Sequence, residues 1–497
     1  MTNTLLLFGA TGDLAGRFLF PALAELEAAG ELADEFAVTG SSRRSLDDEQ
    51  FRQHVAGKLD EFAADVSPAA REKLLSRLRY VRLDISAEAS ADAVRDLIDG
   101  RPAAVYLALP PASFAGAVKT IAAAGVPAGS RIVLEKPFGE NLQNAKELNR
   151  LLTAVTGSMG EGAVFRVDHL LGMPTVHNLI GMRLANRALE ASWSSAHIEK
   201  VELLWEETIA LEGRAAYFDR AGALKDVMQN HVLQLLAIVA MEPPLALNEH
   251  DLRNSKVNLL RAVRPPSPEQ MAVRTRRARY TAGRLRSTGE AHGEEVPDYV
   301  REKGVDASRN TETWAEFELD IDNWRWTGTR FVLRAGKALD RERKGVIVHY
   351  RAAPHNRFTR DVAPNELRIG IDGPHTMTLH LFGSTHGPPF EPRPLVMEAE
   401  PPPMDRRAYN AVFLDVLKGD CTLSVRGDEA EQQWRIVEPI LDAWAENRVP
   451  MEEYIAGSSG PRPRVTHTAV PSRAEQALSP GKLANRTTER AGKKTEQ

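Results

Sequence analysis

Cysteine is nearly missing from this chain of 497 residues, where Cys421 stands alone. An internal disulfide and a thiolate metal cluster are thereby excluded, and a reducing compartment is the expectation. Charge of one sign is not in excess either. Lys plus Arg number 63 against 68 Asp plus Glu, a formal net charge of −5 with both signs mixed along the chain. No basic field is available for nucleic acid or an anionic membrane, and neither is expected as a partner. Long apolar runs are also wanting. Leu5-Leu6-Leu7-Phe8 meets a glycine at once, far short of a signal-peptide core or the roughly 20 residues of a membrane span, so a cytoplasmic protein is expected. The 13 histidines lack the paired spacing of zinc sites, and no metal site is expected. What is present is an ordinary globular balance, 43% apolar and 26% charged, over a length that implies two domains.

Up to residue 168 short apolar strands alternate with longer helical stretches: LLLF (5–8), FAVTG (36–40), RYVRLDI (79–85), AAVYLAL (103–109), RIVLEK (131–136) and AVFRVD (163–168). That rhythm predicts βαβ units and an α/β dinucleotide-binding domain with a parallel, doubly wound sheet over 1–168. Residues 169–465 read differently. A long helix at about 222–241 precedes strands in succession, RFVLRAG (330–336), GVIVHYR (345–351), NELRIGI (365–371) and TMTLHLF (376–382), which predicts an α+β domain with a large antiparallel sheet. The stretch from 466 to 497 is polar, slightly basic and without periodicity, and a disordered tail is expected there.

After the first strand, GATGDLAGR (9–17) offers Gly9 and Gly12 for a tight turn and a close approach to a pyrophosphate at a helix N-terminus. The same glycines also suit a plain βα turn. At the end of the second strand GSSRRS (40–45) has Arg43 and Arg44 where an NAD site usually has an acid. Guanidinium forks suit a 2′-phosphate, so NADP is favoured, although two loop arginines can simply be solvated. EKPFG (135–139) closes the fifth strand at the carboxyl edge of the sheet, where ligands bind, and so directs Lys136 to the cleft. In DRAGALKDVMQNHVLQLLAIVAME (219–242) Asp226, Asn230 and His231 interrupt an apolar helix face and need partners.

Read together, GATGDLA (9–15), YLALPP (106–111), EKPFG (135–139), RVDHLLG (166–172), NLIGMRLANR (178–187), EGRAAYFDRAGALKDVMQNHVLQLLAIVAME (212–242), LRAGKAL (333–339), AYNAVFLDVLKGD (408–420) and GSSGP (457–461) resemble the glucose-6-phosphate 1-dehydrogenase family over about residues 4–465. The resemblance implies oxidation of the C1 hydroxyl of a hexopyranose to the 1,5-lactone with reduction of NADP. It also implies a homodimer or homotetramer joined through the large sheet. It makes His231 the general base, oriented by Asp168, and puts Lys136 against both sugar and nicotinamide. His169 would face the phosphate end of the sugar, with Glu207, Asp226 and Lys337 on its hydroxyls. Gly9, Thr11, Gly12, Asp13, Leu14, Arg43, Pro110 and Lys136 would line the cofactor.

The substrate end departs from the family pattern. Where the family reads R-I-D-H-Y-L-G-K, a tyrosine and a lysine that bind phosphate are replaced by Leu170 and Met173. A cation usual five residues past Lys337 is replaced by Glu342, between Arg341 and Arg343, and a Gln-Pro pair by Asp372-Gly373. Each lost charge-assisted hydrogen bond is worth about 1.5–3 kcal/mol. The substrate is therefore either a hexose that is unphosphorylated, amino or otherwise changed at C6, or glucose 6-phosphate held by replacements such as Arg183, Arg214 or Arg341. Sugar oxidoreductases of the Gfo/Idh/MocA type share the two-domain plan and a Glu-Lys-Pro motif, but the long QNHVLQLLAIVAME match (229–242) speaks against them. A non-catalytic sensor or assembly subunit of the same fold is the remaining alternative; a pure binding module has no need of the proton acceptor that Lys136, Asp168 and His231 imply.

Overall fold

The computed structural model describes residues 2–211, 213–285, 293–353, 362–371, 376–384, 392–400 and 407–463. The polar stretch from 466 and the Asp372-Gly373 substitution lie outside them.

Six strands form the first sheet: β1 Thr4–Phe8, β2 Ala37–Ser42, β3 Leu78–Arg82, β4 Ala104–Leu107, β5 Arg131–Glu135 and β6 Val164–Val167. All pairings are parallel, in the order β3-β2-β1-β4-β5-β6. Helices cover both faces of such a sheet, so its strands read as unbroken apolar runs, and β4 is buried at every position. The crossover helices start where side chains satisfy free N–H groups. Asp47 and Gln50 form a capping box on helix Asp48–Phe62, and Asn141 caps helix Leu142–Thr156.

The second sheet is larger and mixed. Its strands are β7 Ile198–Glu206, β8 Val263–Arg264, β9 Thr275–Thr281, β12 Trp314–Ile321, β13 Arg330–Gly336, β14 Arg343–Tyr350, β15 Glu366–Gly370, β16 Met377–Ser384, β17 Pro392–Ala399 and β18 Met451–Ile455, while β10 Gly283–Arg284 and β11 Glu295–Val296 form a separate ribbon. The order is β17-β16-β15-β14-β7-β13-β12-β9-β18, with β8 beside β12. Most pairs are antiparallel as expected, but β7 runs parallel to β13 and β9 to β18. Alternation sorts the side chains: Val201, Leu203, Leu333, Val346 and Val348 join the core under the helices, whereas Glu206, Glu316 and Arg334 make ion pairs on the other face.

The predicted helix over 222–241 is more complex. A helix Ala215–Ala223 is broken at Gly222, whose φ of +69° favours glycine, and is followed by a π-helical stretch Leu224–Val232 and an α-helix Leu233–Ala240. The buried Glu312 carboxylate accepts the Leu224 N–H at 3.0 Å at the start of the π-helical stretch. Late in the chain, helix Ala408–Lys418 returns to the first sheet, where Phe413 and Leu414 share a core with Leu5, Leu7 and Phe20.

Candidate active site

A cleft of about 950 Å³ opens at the carboxyl edge of the first sheet, lined by Gly9, Thr11, Gly12, Arg43, Arg44 and Pro110 among others. Gly9 has φ +87°, and a Cβ there would lie 2.1 Å from the Ala108 carbonyl oxygen, so only glycine lets the turn close. Thr11 donates to the Ser42 hydroxyl at 3.0 Å, which ties the glycine turn to the end of β2. Asp13 pairs with Arg17 at 3.7 Å at the start of the following helix, and Leu14 packs against the core. Neither Arg43 nor Arg44 forms a salt bridge among the described residues, and both are exposed. The Tyr80 hydroxyl donates to the Arg44 carbonyl at 2.7 Å. Arg82, at the end of β3, donates to the Arg43 carbonyl at 3.3 Å and adds a guanidinium that sequence reasoning missed. The tight glycine turn and the unpaired cations fit a phosphate-rich dinucleotide.

Where the two sheets meet, β6 delivers Asp168 and the π-helical stretch delivers His231. Their side chains are buried, with Nδ1 of His231 2.5 Å from Oδ1 of Asp168. Burial opposes the charge on Asp168, yet the His231 imidazole beside it holds its carboxyl down at about 2. Burial also lowers His231 below its ordinary value, and the attraction of Asp168 offsets this only in part. An ionised Asp168 can only accept, so Nδ1 carries the proton and Nε2 keeps its lone pair. The arrangement can take up a proton at Nε2 and stabilise the resulting imidazolium.

Aromatic rings fix the imidazole. Trp205 stacks on His231 at 5.4 Å, His169 meets it edge-on at 4.7 Å, and His169 in turn stacks on Tyr409 at 5.6 Å. Burial, then the neighbouring His231, pushes His169 down to about 3. Ligand atoms of Asp168, His169 and His231 lie within 4.8 Å of one another, close enough for a cation, but the hydrogen bond between Asp168 and His231 already uses two of them. Glu135, preceding Lys136, is buried against the Tyr106 and Tyr409 hydroxyls, and burial pushes it up to about 7.

Lys136 reaches across from β5 and donates to the Asp226 carbonyl at 2.6 Å, with its ammonium 3.7 Å from the carboxylate. The Tyr217 hydroxyl donates to that carboxylate at 3.3 Å. Burial would raise Asp226, but Lys136 and Lys337 hold it below the usual carboxylate value. Lys337 lies 2.5 Å from Glu207. The structure thus gathers Lys136, Asp168, His169, Asp226 and His231 at one place, with Glu207 and Lys337 adjoining. Trp205, Tyr217 and Tyr409 were missed, although Trp205 directly precedes Glu206-Glu207 and Tyr409 lies within the quoted AYNAVFLDVLKGD.

At the substrate end Leu170 is fully buried and Met173 packs partly buried against the same core. Of the replacement arginines, Arg183 is excluded. It is buried, donates to the Ile238 and Met241 carbonyls and lies over Trp193, so its guanidinium is consumed by the core. Arg214 and Arg341 are exposed, and Arg343 pairs with Glu206.

Residues 6–178 match the glucose-6-phosphate dehydrogenase NAD binding domain and residues 180–473 the glucose-6-phosphate dehydrogenase C-terminal domain. The glucose-6-phosphate 1-dehydrogenase of Zymomonas mobilis is 36% identical over 481 residues, covering 93% of this chain and 97% of that one. Among solved structures, the enzyme of the same name from Mycobacterium avium superposes with a TM-score of 0.80 at 31% identity, covering 96% of each chain. A glucose-6-phosphate dehydrogenase in complex with glucose 6-phosphate superposes with a TM-score of 0.80 at 29% identity, covering 93% of this chain and 96% of that one. With the glycine turn of a nicotinamide-dinucleotide domain and a buried histidine–aspartate pair in one chain, and these matches spanning nearly its whole length, the chain belongs to the glucose-6-phosphate dehydrogenase family.

Proposed function

We propose that the protein oxidises glucose 6-phosphate at C1 to the 1,5-lactone with NADP. The observation that carries this reading is the buried His231–Asp168 pair beside Lys136. His231 removes the O1 proton at Nε2 while the bound nicotinamide supplies the hydride acceptor for C1. Asp168 holds the ring and stabilises the imidazolium, and Lys136 bridges sugar and cofactor. Glu207, Asp226 and Lys337 hold sugar hydroxyls, and His169 faces the phosphate end. General base catalysis of this kind contributes roughly 10²–10⁴-fold.

NADP rather than NAD is supported by Arg43 and Arg44 at the end of β2, which can grip a 2′-phosphate. Gly9, Thr11, Gly12, Asp13, Leu14 and Pro110 form the rest of the cofactor site. Residues 1–168 make the cofactor domain and 169–465 the sugar domain. The chain pairs with itself through the large sheet, where edge strand β17 exposes Leu395, Val396 and Met397. The cytoplasm is its place of action.

A second reading, a hexose without the 6-phosphate, is favoured by the apolar Leu170 and Met173. The deciding experiment is a panel of hexoses and hexose phosphates assayed for NADPH and NADH formation. The first reading expects kcat/KM to be highest for glucose 6-phosphate with NADP; a higher value for an unphosphorylated hexose selects the second.

A further inference from the structure

We infer that Lys344 is a specificity-determining residue, the cation that meets the charged end of the sugar. The inference rests on the reading of glucose 6-phosphate as substrate. Its starting point is the register of β14 on β7, which sets Arg343 opposite Glu206 and Lys344 opposite Trp205. Successive residues of a strand point to opposite faces, so these two neighbouring cations part. Arg343 goes to the face away from the helices, where Glu206 takes its guanidinium. Lys344 goes to the face of Trp205, Val346 and Val348, and Trp205 is the ring that stacks on His231.

On that face the Lys344 ammonium is 5.3 Å from the centre of the Trp205 ring, 3.9 Å from Oε1 of Glu207 and 2.7 Å from Oε1 of Glu342. The other oxygen of Glu207 takes Lys337. Lys337, Glu207, Lys344 and Glu342 thus form a row of alternating charge leading outward from the sugar-hydroxyl groups. Its outer member differs from the inner ones. The side chain of Lys344 is only 10% exposed and that of Glu207 17%, whereas Glu342 is 46% exposed. An ammonium so little hydrated must keep an anion beside it. The strand and the indole hold Lys344 in place, but Glu342 can turn to water. A phosphate dianion can therefore replace Glu342 as the anion at Lys344, exchanging a weak, screened partner for a stronger one. A neutral hydroxymethyl group cannot make that exchange. The device discriminates by charge at C6 without an unpaired lysine in the resting site.

The test uses the full-length enzyme with glucose 6-phosphate and with glucose, NADP being saturating. Wild type must first turn over glucose 6-phosphate; if it oxidises only glucose, the substrate reading fails on the wild type alone and takes this inference with it. Given that turnover, Lys344→Gln should raise KM for glucose 6-phosphate by about 10- to 100-fold while kcat stays within about threefold. With glucose the loss in kcat/KM should be about threefold or less. Glu342→Gln removes the competing anion and should lower KM for glucose 6-phosphate severalfold, which a purely structural role for Lys344 would not produce. An unchanged KM in Lys344→Gln overturns the inference. So does an equal loss on both sugars, which would make Lys344 only a support for Glu207. Lys344→Met provides a second variant should the glutamine variant fold poorly.

Discussion

At the nucleotide end Arg43 and Arg44 stand exposed and form no salt bridge among the described residues, while at the sugar end Lys136, Lys337 and Lys344 each lie close to a carboxylate, Asp226, Glu207 and Glu342. The difference follows from hydration. Exposed guanidinium groups are solvated and can wait unpaired for a phosphate, but an ammonium taken largely out of water is costly unless an acid lies at hand. The first plan gives affinity that salt weakens; the second gives selectivity, because a ligand must do better than the resident acid.

The largest expected effect removes the proton acceptor at the sugar end. His231→Asn should lower kcat by roughly 10²–10⁴-fold, with NADP binding retained by fluorescence titration. Near-normal turnover would mean that the buried pair serves folding and that the comparison concerns a binding site alone. Next comes the departure at Leu170 and Met173. Leu170 is fully buried, so Leu170→Tyr should overpack the core and cost about 1–3 kcal/mol in urea unfolding. Met173 is partly exposed, and Met173→Lys should leave stability nearly unchanged and lower KM for glucose 6-phosphate about tenfold. If the tyrosine is tolerated and the lysine has no effect, the phosphate end lies elsewhere.

A smaller effect sharpens the contrast in screening. Arg43→Ala should raise KM for NADP about tenfold and hardly alter that for NAD, with a gap that narrows as salt rises. Equal losses with both cofactors would remove Arg43 from the 2′-phosphate. The smallest effect is on pH. His231 acts as the neutral base and its value lies below the ordinary 6.5, so kcat/KM should be flat near neutrality and fall only as acid protonates it, with the inflection below 6.5. An acid limb centred above 6.5 would mean that Asp168 outweighs burial.

The strands of the first sheet were legible because a sheet covered on both faces needs unbroken apolar runs. The second sheet was legible as strands but not as pairings, since nothing in RFVLRAG states that it lies parallel to β7. Asp226 and His231 were legible as polar breaks in an apolar helix, but the helix type that carries both was not. Read with an α-helical period, residues five apart fall on different faces, but the π-helical stretch Leu224–Val232 brings such residues together. Lys344 was hidden for a related reason, because only the register of β14 tells its face from that of Arg343. The expectation for Arg183 failed because a charged residue in NLIGMRLANR gives no sign that backbone carbonyls at the end of another helix have claimed it.

Helix Ala408–Lys418 has a consequence for how the protein is made. Phe413 and Leu414 cover Leu5, Leu7 and Phe20, and Tyr409 stacks on His169, yet about 240 residues separate this helix from β6. At the usual pace of synthesis the N-terminal half waits on the order of 10–50 s with part of its core bare. Residues 1–168 produced alone should therefore be sticky and poorly soluble, and supplying 407–463 on the same polypeptide should rescue them better than chaperones do.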